Sequence, residues 1–340
     1  MTQPKINKPN IKKLASRRKT ISISQEQLTK LNLLNSESSL PLIITPNVEE
    51  LSLVNWAKSQ KEFIENKLLQ HGGILFRNFK VNDISEFADF IKTIAGDLLQ
   101  YSYRSTPRTQ VSGNIYTSTE YPATQSIPLH NEMSYSRNYP QKIAFYCLQK
   151  AQQGGETPIA DSRKVFQHVS NQTKDLFIQK KVMYVRNYGN NLDLTWQNVF
   201  QTTEKIEVEN YCNRAGIDFE WKDEDSLQTR QICSAVVEHP QTGEAVWFNQ
   251  AHLFHISNLD SNVRESLFKN YKESELPRNA YYGDGSPIEA AVLAEIREVY
   301  QQESIIFPWQ EGDILLLDNI LAAHGRKPFT GSRKVVVGMA

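Results

Sequence analysis

The chain has few cysteines and no excess of charge, and these absences exclude several classes of protein. Its three cysteines, Cys147, Cys212 and Cys233, show no CxxC spacing. This argues against a disulfide framework and a zinc ribbon, and it favours a reducing, cytoplasmic compartment. The formal net charge of +0 provides no general electrostatic attraction for nucleic acid. We therefore expect no nucleic-acid partner.

Long apolar segments are also absent. No run approaches the roughly 18 residues of a membrane span, and the N-terminus lacks the apolar segment of a secretory signal. We therefore expect no membrane partner. We find no internal repeat and no low-complexity linker, and the 340 residues are compatible with one large domain that carries insertions.

Residues 1–25 differ from the rest of the chain in charge. They contain seven basic residues and no acidic one. This composition predicts a solvated, partly disordered tail, with contact to an acidic partner as the alternative. We expect residues 26–340 to form a single domain.

Predicted strands and helices alternate along the rest of the chain. Apolar spacing of three and four predicts helices, and short β-branched and aromatic runs predict strands. The principal predicted helices span residues 56–70, 84–99, 204–216, 261–275 and 289–302, and the principal predicted strands span residues 42–44, 74–77, 113–118, 143–148, 182–188, 245–248, 314–317 and 335–339. Strands on both sides of helical insertions favour an α+β fold, a β-sandwich or jelly roll with helices outside.

The stretch around His130 and Glu132 carries the strongest chemical signal. On an extended strand, residues two apart point to the same face, so the imidazole and the carboxylate can converge. A third ligand is available from His324, which follows the apolar run that ends at Leu317. Two histidines and one carboxylate, with open positions, form the arrangement of non-haem Fe(II) oxygenases. A His-x-Glu pair alone is weak support for a metal site.

Three further features strengthen the hypothesis. They are the segment Gly154-Gly155-Glu156-Thr157-Pro158, the sequence Gly325-Arg326 after His324, and Arg333 before the last predicted strand. In this order they resemble the taurine dioxygenase/clavaminate synthase-like family of Fe(II)- and 2-oxoglutarate-dependent oxygenases. The resemblance runs from about Pro41 to the C-terminus. It is nearest to the branch that includes γ-butyrobetaine hydroxylases and the aspartyl hydroxylase of syringomycin-type assembly lines.

The resemblance implies a double-stranded β-helix (jelly roll) core, an Fe(II) ion, 2-oxoglutarate as cosubstrate and O2. It implies that the iron ligands are His130, Glu132 and His324. Arg333 would bind the distal carboxylate of 2-oxoglutarate as a bidentate partner, with Arg326 as the fallback, and Thr157 would donate its hydroxyl to the cosubstrate. Related halogenases carry a small residue in place of the carboxylate, so Glu132 favours hydroxylation.

The substrate is less well defined by the sequence. We expect a small molecule, an amino acid or another carboxylated compound, free or attached to a peptide-synthetase carrier domain. The candidate substrate contacts are Ser134, Tyr135, Asn249, Arg104 and Arg108. The same residue types also have plain structural uses, in turns, strands and solvated loops. His252 and His255 are three residues apart, but no carboxylate accompanies them, and we expect them to serve local structure.

Two other classes of function stay open at this point. A zinc hydrolase also uses two histidines and a glutamate, but it usually brings both histidines on one helix in an HExxH sequence, which is absent here. A non-catalytic jelly-roll binding protein is the third possibility. Oxygen-dependent consumption of 2-oxoglutarate separates the oxygenase from both alternatives.

Overall fold

The computed structural model describes residues 28–34, 38–189 and 193–340, and the basic segment of residues 1–25 lies outside the described residues. The strands of the described residues are β1 Thr29–Leu33, β2 Leu42–Pro46, β3 Gly73–Phe76, β4 Gln110–Ser112, β5 Ile115–Thr117, β6 Ile127–His130, β7 Lys142–Gln149, β8 Gln153–Gly154, β9 Ile159–Asp161, β10 Val182–Tyr188, β11 Asp218–Trp221, β12 Leu227–Cys233, β13 Val236–Glu238, β14 Ala245–Trp247, β15 Arg278–Tyr282, β16 Ile314–Asp318, β17 Ala322–Arg326, β18 Phe329–Thr330 and β19 Lys334–Met339.

Helices connect and cover these strands. They are α1 Leu53–Ser59, α2 Lys61–His71, α3 Ile84–Ala95, α4 Ser162–His168, α5 Asn171–Lys180, α6 Trp196–Phe200, α7 Lys205–Ala215, α8 Ala251–Phe254, α9 Ser261–Asn270 and α10 Ala290–Gln302, with short 3-10 turns at Ile256–Asn258 and Glu273–Glu275. None of the helices in this part of the chain has the length and apolar character that crossing a membrane requires.

The largest sheet has eight strands in the order β1-β2-β3-β16-β7-β19-β5-β4. Its strand pairs are antiparallel except β2–β3, which is parallel. Successive residues of a strand point to opposite faces. On β16, Leu315 and Leu317 enter one core cluster, while Ile314 and Leu316 enter the other. Both faces of the strand are therefore buried, which explains its uninterrupted apolar run.

Helices α1, α2 and α3 cover the outer face of this sheet. The buried residues of α3 have the spacing of an amphipathic helix and are Phe87, Phe90, Ile91 and Ile94. The helix begins at Asp83, whose carboxylate accepts the Glu86 N–H at 2.9 Å. It ends before Gly96, which has a φ of 86° and closes the helix four residues earlier than the sequence predicts.

The inner face of the large sheet packs on smaller sheets that carry the candidate site. One has the strand order β6-β17-β9 and another the order β11-β12-β10-β15. Leu129 of β6, Ile159 of β9 and Tyr184 of β10 share one core cluster with Leu315 and Leu317 of the large sheet. The candidate ligands on β6 and β17 thus lie between two sheet layers. The antiparallel sheets and the helices packed on them confirm the predicted α+β fold class.

The segment predicted as one helix over residues 56–70 forms two helices, α1 and α2. They meet at Gln60, whose φ of −120° is not helical. The hydroxyl of Ser59 donates to the carbonyl of Trp56 at 2.8 Å. A serine hydroxyl that bonds the local backbone competes with helix continuation, and apolar periodicity does not reveal this competition.

Candidate active site

The pairing of β6 with β17 brings two distant histidines together. His130 is the last residue of β6 and stands directly opposite His324 on β17. Their ring centroids are 4.6 Å apart. His324 also contacts Phe145 of the large sheet, with 5.0 Å between ring centroids. Antiparallel pairing thus joins the two candidate imidazole ligands, although nearly two hundred residues separate them in the sequence.

A bulge in β6 lies beside this histidine pair. The register shifts between His324 and Arg326, so Pro128 and Leu129 both stand opposite Gly325. Proline has no N–H for a strand ladder and is tolerated at a bulge. A Cβ atom on Gly325 would lie 2.6 Å from the carbonyl oxygen of Ile127, so only glycine fits this close approach.

Glu132 approaches the two histidines from a turn rather than from a strand. β6 ends at His130, so the predicted strand geometry does not extend to Glu132. Asn319 holds the turn instead: its side-chain oxygen accepts the Glu132 N–H at 2.7 Å, and its amide donates to the Glu132 carbonyl at 3.0 Å. Asn319 is fully buried and also donates to the carbonyl of Pro140. It therefore positions the candidate carboxylate ligand.

Sequence analysis did not identify Asn319 as a site residue. Its only signal was its place in the Asp318-Asn319 pair that follows the apolar run ending at Leu317. Asn131 is a second omission: its amide donates to Ser162 Oγ at 3.0 Å and to the Asn319 carbonyl at 2.7 Å. The two asparagines link the turn after β6 to the turn between β16 and β17.

One ligand atom from each of His130, Glu132 and His324 lies within 4.8 Å of the others. Glu132 and His324 are only 3% and 4% exposed. His130 Nδ1 lies 2.8 Å from the carbonyl oxygen of Pro128, which favours the tautomer with the proton on Nδ1 and leaves Nε2 free to bind a metal. His324 Nδ1 is buried and has no hydrogen-bond partner among the described residues. The donor set and its spacing fit a ferrous ion.

The electrostatics of the cluster also suit metal binding. Burial, together with the nearby His324, lowers the pKa of His130 to about 4, so its imidazole is neutral at physiological pH. Burial raises the pKa of the Glu132 carboxyl, but the Arg108 guanidinium and His324 lower it more, and the net pKa is well below its usual range. A neutral imidazole and an ionised carboxylate are the forms that bind a metal.

Arg108, predicted to contact substrate, donates from Nη2 to Glu132 Oε2 at 2.7 Å. Both side chains are buried, at 3% and 4% exposure. The guanidinium also lies over the ring of Tyr101, 4.7 Å from its centroid. Its Nε and Nη1 have no hydrogen-bond partner among the described residues. Arg108 thus orients the candidate carboxylate ligand and keeps two donors available.

Arg333, predicted to bind 2-oxoglutarate, lies in the loop before β19. Its Nε donates to the Gly155 carbonyl at 2.8 Å, and Nη1 donates to Ser118 Oγ at 3.2 Å. Burial, and then the nearby Arg326, lowers its pKa to about 10. No carboxylate among the described residues forms an ion pair with it. A mostly buried guanidinium without an internal anion is suited to an anionic ligand.

Arg326 has different surroundings. Its guanidinium donates to the carbonyls of Tyr121, Pro122 and Gln125 at 2.7–2.9 Å. These three bonds fix the loop that precedes β6. They favour a structural use of Arg326 and leave Arg333 as the more available cation.

Thr157 is 2% exposed, and its hydroxyl accepts the Trp309 Nε1–H at 3.1 Å. Because a hydroxyl that accepts one hydrogen bond still has its proton to donate, this contact is compatible with the predicted donation to the cosubstrate. The bond also fixes the orientation of the hydroxyl.

The remaining predicted substrate contacts are mostly engaged inside the protein. The hydroxyl of Ser134 donates to Asn131, that of Tyr135 donates to Tyr103, and the amide of Asn249 donates to Ala235. Arg104 donates from Nε to the carbonyl of Tyr101 at 2.9 Å. Tyr135 and Arg104 nevertheless border the group of aromatic residues next to Arg108.

His252 and His255 are not part of a second metal cluster among the described residues. His252 Nε2 lies 2.9 Å from the carbonyl oxygen of Leu129, and its ring contacts that of Tyr300, with 4.7 Å between ring centroids. His255 Nδ1 contacts Ser257 Oγ and accepts the Ser257 N–H. The contacts of His255 are local, whereas those of His252 join α8 to β6 and α10.

Sequence comparison gives an independent view of this arrangement. The profile of the family described as "Taurine catabolism dioxygenase TauD, TfdA family" matches residues 38–339. The dapdiamide synthesis protein DdaC of Enterobacter agglomerans is 43% identical over 276 residues, which cover 81% of this chain and 84% of that protein. A clavaminate synthase-like protein of Arabidopsis thaliana is 30% identical over 293 residues, covering 83% and 85% of the two chains.

Solved structures agree on the fold. PvcB of Pseudomonas aeruginosa superposes with a TM-score of 0.55 at 14% identity, covering 92% of this chain and 91% of that chain. A second PvcB structure is described as an Fe, alpha-ketoglutarate dependent oxygenase from an isonitrile synthetic pathway. The structure of AAD-2 with Mn(II) and N-oxalylglycine has a TM-score of 0.53 at 12% identity, with coverage of 92% and 96%. The jelly-roll core predicted from the sequence is thereby confirmed.

These matches decide between the three classes of function that the sequence left open. The profile spans nearly all of the described domain, and the match to DdaC covers more than four fifths of both chains. The zinc hydrolase and the non-catalytic binding protein have no such support. The chain belongs to the TauD/TfdA family and is an oxygenase that depends on Fe(II), 2-oxoglutarate and O2.

Proposed function

We propose that the protein hydroxylates an unactivated C–H bond of an amino-acid-like or otherwise carboxylated small molecule. In this proposal Fe(II) is held by His130, Glu132 and His324. The observation that carries the assignment is the convergence of one ligand atom from each residue within 4.8 Å in a buried site.

A ferrous ion held by these residues would supply, with 2-oxoglutarate and O2, an oxidant strong enough for a C–H bond, with succinate and CO2 as the coproducts. The residues of the chain provide binding, orientation and exclusion of water. His130 presents Nε2 because its Nδ1 is engaged by Pro128. Arg108 and Asn319 fix the carboxylate and the backbone of Glu132.

We further propose that Arg333 binds the distal carboxylate of 2-oxoglutarate, with Thr157 donating its hydroxyl to the same molecule. Support for this comes from the burial of the Arg333 guanidinium and from the absence of an ion-pair partner among the described residues. A planar guanidinium offers two parallel donors to a carboxylate. Arg326 remains the fallback, although three backbone carbonyls engage it.

Hydroxylation, rather than halogenation, is supported by the carboxylate of Glu132. A halogenase of the wider family needs a small residue at that position to make room for chloride. Here the carboxylate is present and Arg108 holds it in place at 2.7 Å.

The nature of the substrate is the finer part of the proposal. DdaC is named for dapdiamide synthesis, and PvcB is described as coming from an isonitrile synthetic pathway, so natural-product synthesis is the setting we propose. Arginines next to the candidate iron site suit a carboxylated molecule, free or attached to a peptide-synthetase carrier domain. A cytoplasmic location belongs to the same proposal, supported by the three unpaired cysteines of the described chain.

Anaerobic metal titration with an oxygen-dependent assay tests the assignment. We expect the wild-type protein to bind Fe(II), and to release succinate from 2-oxoglutarate only with oxygen. His324→Ala and Glu132→Ala should lose at least about tenfold in metal affinity, since each removes one of three protein ligands. Arg333→Met should instead weaken 2-oxoglutarate binding and leave metal affinity unchanged.

His168→Gln is the matched control, because His168 is an exposed histidine paired with Glu303, and neither residue belongs to the ligand cluster. It should retain both metal affinity and succinate release. Retention of full metal affinity in both His324→Ala and Glu132→Ala would refute the proposed ligand set.

A further inference from the structure

A second buried cation, Arg186, contacts Tyr135, three residues after the candidate ligand Glu132, and has no assigned use. It is on β10 and is 1% exposed. Its guanidinium carbon lies 5.2, 5.8 and 5.1 Å from the ring centroids of Tyr103, Tyr135 and Tyr188. Contacts between a cation and aromatic rings offset part of the cost of burying the charge.

Arg186 lacks the polar partners that a buried arginine normally has. Nη2 donates to the carbonyl of Arg104 at 2.7 Å. Nε and Nη1 are buried and have no hydrogen-bond partner among the described residues. Asp193, a nearby acidic group, is paired with Arg278 instead. Because aromatic rings are poor hydrogen-bond acceptors, the tyrosines do not satisfy these two donors.

The surroundings of Arg186 carry an excess of positive charge. Two arginines, Arg104 and Arg108, belong to the loop of residues 101–108, and two more, Arg186 and Arg278, donate hydrogen bonds to it. The guanidinium groups donate to backbone carbonyls of the loop. Arg186 donates to the carbonyl of Arg104 and Arg104 donates to the carbonyl of Arg108. Arg278 donates to the carbonyl of Ser105. Two of the four have carboxylate partners: Arg108 pairs with Glu132, and Arg278 with Asp193. Arg104 and Arg186 have none among the described residues, so the group has two uncompensated positive charges.

This group of residues is continuous with the candidate iron site. Tyr135 follows Glu132 by three residues, its ring contacts the Arg186 guanidinium, and its hydroxyl donates to the carbonyl of Tyr103 at 3.0 Å. Arg108 bonds the carboxylate of Glu132 from the other end of the loop. Direct contacts thus join the surroundings of Arg186 to the candidate ligand Glu132.

We propose that Arg186 binds a carboxylate group of the organic substrate, next to Tyr103, Tyr135, Tyr188 and the loop of residues 101–108. The inference rests on the proposed function, since it assigns the substrate end that is held away from the iron. A carboxylate accepts the unused N–H donors and offsets the excess charge. Arg186 thereby selects carboxylated substrates over their neutral analogues.

Thermal unfolding of the protein saturated with Mn(II) and N-oxalylglycine tests this site, because the metal and 2-oxoglutarate positions are then filled. The probes are acetate, propionate and L-alanine, each compared with its carboxamide at constant ionic strength. We expect a saturable rise of the unfolding midpoint with the carboxylates and none with the carboxamides. Arg186→Met should weaken the apparent affinity for the carboxylates roughly tenfold or more.

Arg230→Met is the matched control. Arg230 lies in the same sheet, on β12 opposite Val185, and its side chain is 46% exposed. It therefore lies on the other face from Arg186, and its replacement should leave the carboxylate effect unchanged. If Arg186→Met does not fold, Arg186→Lys retains the charge but loses the planar fork, and it should also bind the probes more weakly.

Two outcomes would overturn the proposal. One is an unchanged carboxylate effect in the folded Arg186 variant, which would place the anion elsewhere. The other is a wild-type protein that shows no saturable effect with any carboxylate, as expected if internal water satisfies Arg186. Failure of the wild type to bind Mn(II) would instead contradict the proposed iron ligands, and the probe titration of the metal-free protein would still report on Arg186.

Discussion

Among single residues, Arg108 has the most direct influence on the candidate metal ligands. Its bond to Glu132 Oε2 limits how the carboxylate rotates. Partners of metal ligands typically contribute roughly 10- to 100-fold to metal affinity. We expect Arg108→Met to lose Mn(II) affinity by about this factor in a calorimetric titration. The metal-free variant should also be less stable by about 3–5 kcal/mol, because Glu132 is left as an unpaired buried charge.

Arg104→Met serves as the control for this variant. Arg104 lies on the same loop, but its hydrogen bonds go to backbone carbonyls and not to Glu132. Its replacement should leave Mn(II) affinity unchanged. If Arg108→Met bound Mn(II) as tightly as the wild type, the Arg108–Glu132 pair would have no part in orienting the ligand.

His252 makes stability depend on pH. Burial lowers its pKa to about 3, from an ordinary value of 6.5. Between these values the unfolded chain binds a proton that the folded chain does not, so stability falls as the pH falls. The slope is up to about 1.4 kcal/mol per pH unit for one such group. Urea unfolding of the metal-free protein at pH 6.5, 5.5 and 4.5 measures it.

His252→Gln isolates this contribution from that of His130, whose pKa burial also lowers. Glutamine can donate to the Leu129 carbonyl as the imidazole does at 2.9 Å, but it does not titrate. We expect the free energy of unfolding of the variant to depend less steeply on pH, by up to about 1.4 kcal/mol per pH unit in this range, because unfolding takes up one proton fewer. Equal slopes in the two proteins would show that His252 is not held neutral in the folded state.

Among the structural elements, the spacing of β6 and β17 decides whether the ligands meet. Gly325→Ala would place a methyl group 2.6 Å from the Ile127 carbonyl and push the strands apart. We expect a loss of stability of about 1–3 kcal/mol. Because Gly325 adjoins His324, we also expect weaker Mn(II) binding, measured by titration beside urea unfolding.

Gly338→Ala separates these two effects. Gly338 lies on β19, away from the histidine pair. A Cβ atom at this position would lie 2.5 Å from Ile91 Cδ1. It should reduce stability without reducing Mn(II) affinity in the folded protein. Equal affinity losses in both glycine variants would mean that overall destabilisation, rather than strand spacing, controls the site.

For the whole molecule, the proposed division of the chain predicts that the basic segment is dispensable. Deletion of residues 1–25 should leave the unfolding midpoint and the oxygen-dependent release of succinate close to those of the full chain. The described core begins beyond this segment and includes two large apolar clusters. A marked loss of stability or activity would show that the domain extends into residues 1–25.

The amino-acid sequence was enough to indicate the chemistry and the class of fold. Donor type, order and local spacing are properties of the chain, so His130, Glu132 and His324 can be recognised as a candidate ligand set from the residues alone. The pattern of strands between helical insertions indicated the α+β jelly roll. The family resemblance, now confirmed by the profile match, supplied Fe(II), 2-oxoglutarate and O2.

The groups that serve those ligands, in contrast, are set by tertiary packing. Asn319 bonds Glu132 although the two residues are far apart in the sequence. Arg108 pairs with Glu132 and does not lie in a solvated loop. Arg186 is buried among tyrosines. Apolar periodicity reports which face of an element is buried, but not which partner it meets. Partners depend on strand register, a bulge at Pro128 and a close approach at Gly325, and these arise only when distant segments pack together.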